Sequence, residues 1–204
     1  MGAPSVVMQH NLDSTDNWYV LHTGLTAGSG NTGNNIYLDI TNAVDDNIVW
    51  WNRTNPSSSV VTLGAGNGSG SGPNEPANES RIMYCFVEIP GYSAFGNYEG
   101  NNDSSDGTII HLGFKPAFFM AKNADTTGAW LMFDSTREPS NLVDLPLEAD
   151  DSKAEAASGG RVCDFLSSGV KIRGNSSYLG SAHTFIYMAF AEHPFAGTAP
   201  ITAV

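Results

Sequence analysis

Short uncharged apolar runs alternate with polar turns along this chain, and the runs have the length of strands. "PSVVMQ", "NWYVLH", "NIYLDI", "NIVWW", "SVVTLG" and "RIMYCFVEI" are period-two or wholly apolar, and "GTIIHLGF", "PAFFMAK", "AWLMFD", "GVKIRG" and "TFIYMAFAE" continue the series. Clusters of Gly, Asn, Asp and Ser separate them, as hairpin turns require. The one helix-like stretch, "LEADDSKAEAA" at 147–157, is short and lacks a clean apolar stripe, so it is expected as a loop with at most a turn or two of helix. Residues 64–80, "GAGNGSGSGPNEPANES", carry no apolar side chain larger than Ala or Pro. Such a segment cannot bury enough to offset its ordering entropy and is expected as a mobile loop, or one ordered only by a neighbouring subunit.

The pattern is written twice. Pro4–Thr23, "PSVVMQHNLDSTDNWYVLHT", aligns without a gap on Pro116–Ser135, "PAFFMAKNADTTGAWLMFDS", with Pro, Met, Asn, Asp, Thr and Trp identical. Further on, "IMYCFVEIP" (82–90) matches "IYMAFAEHP" (186–194) at Ile, Phe, Glu and Pro, in the same order along the chain. Two colinear matches predict a tandem duplication, about 1–93 and 94–204, inside one domain spanning 1–204. Each half offers too few strands to close a sandwich, whereas both together supply ten or more and one shared core. The expected fold is therefore an all-β, jelly-roll-like antiparallel β-sandwich. The first half has no counterpart of "YEGNNDSSDGTIIHLGFK", which precedes Pro116 in the second. Either "GTAPITAV" or another subunit would have to supply that strand.

Composition narrows the function. The chain has 204 residues, of which only 15% are charged, and 22 glycines, so one good core fits the length and the surface is uncharged and hydrogen-bonding. A net charge of −12 repels phosphate backbones and excludes nucleic acid as an expected partner. "MGAPSVVMQH" has neither a basic nor a long apolar leader region, and no apolar run reaches the ~18–20 residues needed to span a bilayer. A soluble product made in the cytoplasm, without membrane contact, is expected. Cys85 and Cys163 read as two reduced thiols, one of them a small core filler, and their spacing is not that of a metal site.

Several residues invite a chemical reading. Glu88 and Glu192 end equivalent strands, where a carboxylate with a raised pKa could act as a general acid. Because a fold needs the same corner twice and an enzyme rarely needs the same acid twice, both are expected to accept hydrogen bonds as strand corners. Trp18 and Trp130 are equivalent too, and their place in the matched strands predicts core packing rather than stacking on a sugar. Trp50 and Trp51 are neighbours in an expected strand, so one indole should be buried and the other at the surface, available to a sugar or a subunit. Tyr92 and Tyr98 could complete an aromatic platform. Asp103 and Asp106 in "NNDSSDG" miss the calcium-loop spacing and predict a tight turn without a metal. His10, His22, His111, His183 and His193 show no ligand spacing, and Ser135 lies in no nucleophile elbow. No catalytic residue, metal or cofactor is expected.

The unit "PAFFMAKNADTTGAWLMFDSTR", followed by "DFLSSGVKIR" and "FIYMAFAEHPF", resembles a virion-protein domain of tailed bacteriophages, including phages of aquatic bacteria and cyanobacteria. The resemblance covers nearly the whole chain and is most specific in "YMAFAE", "GYSAFGNYEGN" and "GFKPAFFMAK". It implies a non-enzymatic β-sandwich on the virion surface, assembled in the host cytoplasm. A capsid decoration (cement) protein is the first expectation, since a sandwich that takes up the chain leaves no shaft or anchor. Such a protein would be a homotrimer on the major capsid protein or other virion proteins. The alternative is a host-glycan-binding module of a distal tail fibre or tailspike, and a glycan-degrading enzyme would need two carboxylates across a groove.

Overall fold

A computed structural model of the chain describes residues 2–25, 34–65, 72–75, 78–157 and 159–194. Its strands, in chain order, are β1 (Val6–Asn11), β2 (Tyr19–His22), β3 (Asn35–Tyr37), β4 (Arg81–Phe86), β5 (Ser93–Glu99), β6 (Ile109–His111), β7 (Pro116–Asn123), β8 (Leu131–Asp134), β9 (Leu147–Glu148), β10 (Cys163–Leu166), β11 (Gly169–Ile172) and β12 (Thr184–Ala191). They form three antiparallel sheets, ordered β3-β2-β1-β4, β5-β12-β7-β8-β9 and β10-β11-β6. The fold is an all-β antiparallel sandwich, with a third sheet laid on one outer face.

Strand pairing repeats residue for residue. Val6 faces His22 and Phe86, and its counterpart Phe118 faces Asp134 and Phe190. Met8 faces Val20 and Tyr84, while Met120 faces Met132 and Met188. The correspondence extends to β3 and β9: Tyr19 faces Tyr37 as Leu131 faces Glu148. The turn between the first two strands is also built twice, since the Asn11 side chain accepts the Asp13 N–H and the Asn123 side chain accepts the Asp125 N–H. Even the anchor of each matched Trp recurs. Asp39 accepts the Trp18 N–H at 3.0 Å and Asp150 the Trp130 N–H at 2.8 Å, while Leu38 and Ala149 each donate back to the Trp carbonyl at 3.1 Å.

The strands are apolar on both faces because both faces are covered. Val6, Met8 and Val20 of the first sheet point toward Met120, Ile186 and Met188 of the second, with Trp130, Phe86 and Phe190 in the same layer. Behind the second sheet, Phe119, Leu131, Phe133 and Phe185 pack on Ile110, Phe165, Val170 and Ile172 of the third. Behind the first sheet, Val7, Tyr19, Leu21 and Tyr37 pack on Trp50 and Trp51.

Those indoles belong to α1 (Ile48–Trp51), not to the strand that "NIVWW" predicts. The Asn47 side chain caps the turn by accepting the Val49 N–H, and Asn52 ends it in the left-handed region at φ 50. Segment "SVVTLG" is likewise no strand, although Val61 and Leu63 still cover the outer face of the first sheet. Stretch 147–157 holds only β9 before running on without helix, as the sequence predicts. Of the Gly-rich loop expected to be mobile, residues 66–71, 76 and 77 lie outside the described residues.

Met8 and Met120 occupy equivalent buried places in the central layer. Met8→Ala and Met120→Ala should each lower stability by about 2–5 kcal/mol in urea titrations, because either change opens a cavity between the two main sheets.

Candidate functional site

The two main sheets meet in an open side. β4 is an edge strand whose outer edge has no partner strand among the described residues, whereas its counterpart β12 is flanked by both β7 and β5. Along β4, Met83 is 36% and Tyr84 46% exposed, and Cys85 is exposed as well. Beside the strand end lies a groove of ≈ 570 Å³, floored by Phe86, Phe95 and Phe190 and flanked by Ile89 and Tyr92. Phe190 stands at the centre of that floor, its ring 5.7 Å from Phe95, 6.1 Å from Phe86 and 6.0 Å from Tyr92. Glu88 contributes the groove's one carboxylate among the described residues. The arrangement sets a sheet edge without an outer partner strand among the described residues beside an apolar trough.

The expected aromatic platform is not assembled. Trp50 and Trp51 are both buried, which corrects the expectation of one exposed indole: on a helical turn both rings reach back to the same sheet face, where Trp51 donates from Nε1 to Asn35 Oδ1 at 3.2 Å. Tyr98 is buried and its hydroxyl donates to the Leu179 carbonyl at 2.8 Å, with its ring stacked 5.0 Å from Phe185. Tyr92 is half-buried in the groove wall. Trp18 is half-buried and stacked between His10, at 4.7 Å, and Tyr84, at 6.1 Å. Its counterpart Trp130 is fully buried and donates from Nε1 to the Tyr37 carbonyl at 2.6 Å.

The paired glutamates have diverged. Glu192 is half-buried and bridges to Lys115 Nζ at 2.8 Å, while its N–H donates to the Lys115 carbonyl. The residue equivalent to Lys115 in the first half is Ala3, so Glu88 has no matching cation and stands exposed at the groove rim. Glu192 thus accepts a hydrogen bond at its strand end as a corner residue would, whereas the corner expected at Glu88 is corrected to an exposed carboxylate. Asp103 is used by its own turn: its carboxylate accepts the Asp106 and Ser105 N–H groups, which hold its pKa below the usual range. Asp106 pairs with Lys171 at 3.0 Å. Burial pushes the Cys163 thiol well up, and desolvation also raises Cys85, so neither is an activated thiolate.

Two buried polar groups that sequence reasoning did not single out cross between the halves. His22 on β2 donates from Nε2 to the Tyr187 carbonyl on β12 at 3.0 Å and accepts the Gly24 N–H on Nδ1. Lys122 on β7 donates from Nζ to the Thr41 carbonyl at 3.0 Å and to Gly128 at 2.6 Å. Burial pulls the Lys122 pKa to about 8, against the nearby Asp150 charge. No motif marks either residue, and only the stacking of the two sheets gives them partners.

A family model, described as a domain of unknown function (DUF7483), matches residues 1–194. The chain therefore belongs to that family. No curated protein and no solved structure matches it.

Burial pushes the His22 pKa down from 6.5 to about 4, although the bond to Tyr187 favours the protonated ring. Between those values the unfolded chain takes up a proton that the folded chain does not, so stability present above pH 6.5 is lost as pH falls toward 4. The whole effect is on the order of 3 kcal/mol. Its onset between pH 6.5 and 5 precedes carboxylate titration, and His22→Gln should flatten that part of a melting-temperature profile.

Proposed function

We propose that this chain is a non-enzymatic structural protein of a phage virion, a decoration protein bound as a homotrimer on the outer face of the capsid. The observation that carries the reading is where the distinctive segments lie. "YMAFAE", "GYSAFGNYEGN" and "GFKPAFFMAK" fall largely on β12, β5 and β7, neighbouring strands of the central sheet, so the resemblance sits in the framework and not in a catalytic cleft. Residues suited to chemistry serve that framework as well: Trp50, Trp51 and Tyr98 are in the core, Asp103 closes its turn, and Glu192 holds Lys115. A hydrolase working on glycans calls for two facing carboxylates, and the groove beside β4 presents Glu88.

A decoration protein is held by many modest contacts, whereas a glycan reader concentrates its energy in a few stacked rings. Gold-labelled antibody against the chain, applied to purified particles of the phage that encodes it, separates the two. Label spread over the shell, with trimers in sedimentation, is expected. Label confined to the tail tip would replace this reading with host-glycan recognition, and particles without label would end the virion assignment.

A further inference from the structure

We propose that the end of the first sheet's inner face, around Trp18, is a docking site for a basic peptide segment of another protein, which lies across it as residues 38–45 lie across the equivalent place on the second sheet. The template is internal. On the second sheet that place consists of Lys122, Ala124, Trp130, Ile186 and Met188, all buried. Trp130 Nε1 donates to the Tyr37 carbonyl, Lys122 Nζ and the Gly128 N–H both donate to the Thr41 carbonyl, and the Val44 N–H donates to the Ala124 carbonyl. Leu38 and Val44 supply the apolar contact.

The repeat and the strand register assign the counterparts: His10 for Lys122, Leu12 for Ala124, Trp18 for Trp130, Ile82 for Ile186 and Tyr84 for Met188. Here the same layer is uncovered. Leu12 is 57% and Tyr84 46% exposed, while His10, Trp18 and Ile82 are half-buried. Trp18 makes no counterpart of the Trp130–Tyr37 bond among the described residues, and His10 Nδ1 is buried without a hydrogen bond. Residues 149–156 follow β9 as 38–45 follow β3, so the repeat would lay them over this face. The two segments part after Asp39 and Asp150, which hold the two Trp N–H groups alike. Beyond that point Asp151 replaces Ile40 and Glu155 replaces Val44, and both are exposed, tied to Lys153 and Arg137. The copy that could have covered Trp18 has lost the apolar side chains to do so.

Charge selects the occupant. The second site carries its own cation, Lys122, at the position that His10 holds in the first. Around the uncovered face lie Asp39, which accepts the Trp18 N–H, and Asp13, which accepts the N–H of Ser80 beside Leu12. Glu79 accepts from the Asn11 side chain, and Asp16 keeps one buried carboxylate oxygen without a hydrogen bond. Against these carboxylates is set Arg81, which donates to the Glu79 carbonyl. A second copy of a chain with net charge −12 matches this surface poorly. A segment that brings Lys or Arg beside a Leu- or Val-sized side chain matches both its charge and its apolar layer. The proposal does not rest on the virion reading.

The probe is the capped peptide YLKITNAVK, residues 37–45 with Asp39→Lys and Asp45→Lys, titrated into the full chain and followed through amide and indole N–H resonances. Signals of the Trp18 indole, Leu12, Ile82 and Tyr84 should shift with a dissociation constant of about 1 mM or tighter, while those of β7 and β12 stay in place. The parent peptide YLDITNAVD should bind roughly tenfold more weakly, and the gap should narrow in high salt. Leu12→Ser and Tyr84→Ser, at exposed places that leave the core intact, should each weaken the basic peptide about fivefold or more. No shift at about 10 mM peptide, equal affinity of the two peptides, or shifts mapped away from Trp18 would overturn the proposal. So would Trp18 signals that move when the chain alone is diluted, the mark of a second copy, or that answer to maltohexaose in place of the peptide, the mark of a glycan.

Discussion

Everything else in this molecule leans on one contact, the packing of a face of the first sheet against the corresponding face of the second. Val6, Met8 and Phe86 meet a layer built from Phe118, Met120 and Phe190, their own counterparts in strand register. A duplicated unit that packs on its twin needs only one self-complementary surface, in the manner of an isologous dimer joined by a linker. That demand accounts for strands that are apolar on both sides: one side serves the shared layer and the other a private cover. It also places His22 and Lys122, whose buried polar ends are satisfied by carbonyls of the opposite half.

Away from the shared layer the two copies have been free to differ. The outer face of the second sheet received a three-stranded sheet, and that of the first a capped helical turn with two indoles. Trp130 is sealed by the Tyr37 carbonyl, while Trp18 rests half-exposed between His10 and Tyr84. Glu192 kept a lysine and Glu88 has Ala3 where that lysine would be. The largest difference is at the edges, where β12 carries β5 and β4 has no outer partner strand among the described residues. Divergence is thus greatest where the shared layer exerts least constraint, and that is where a binding surface can be built without loss of the fold.

Fold class and the paired units were legible because identical turn residues, Asn11 with Asp13 and Asn123 with Asp125, mark matching hairpins. The third pair of equivalent strands was not, since β3 and β9 are short and share little beyond Asp39 and Asp150, whose role as Trp anchors appears only in three dimensions. β5 escaped notice because Gly96 and Asn97 interrupt its apolar run; a Cβ at Gly96 would come within 2.9 Å of the Tyr187 hydroxyl, so the glycine is there for strand contact. Trp50 and Trp51 were misread by periodicity, although Asn47 and Asn52 bracket them as helix caps and could have given the turn away. Candidate chemistry was the least legible part. Exposed or buried status of Tyr98, Glu88 and Cys85 depends on which sheet edge is covered, and pairing across the chain decides that.

Urea unfolding followed at two separate places tests the shared layer most directly. Fluorescence of a variant retaining only Trp130 reports the second sheet where it meets the first, and a variant retaining only Trp51 reports the outer face of the first. If like-on-like packing is what holds both halves, the two variants, corrected for their own stability by far-ultraviolet circular dichroism, should each show fluorescence and backbone signals that coincide in one cooperative transition. A fluorescence transition in either variant that separates from the backbone signal, with one half persisting after the other has melted, would contradict the account.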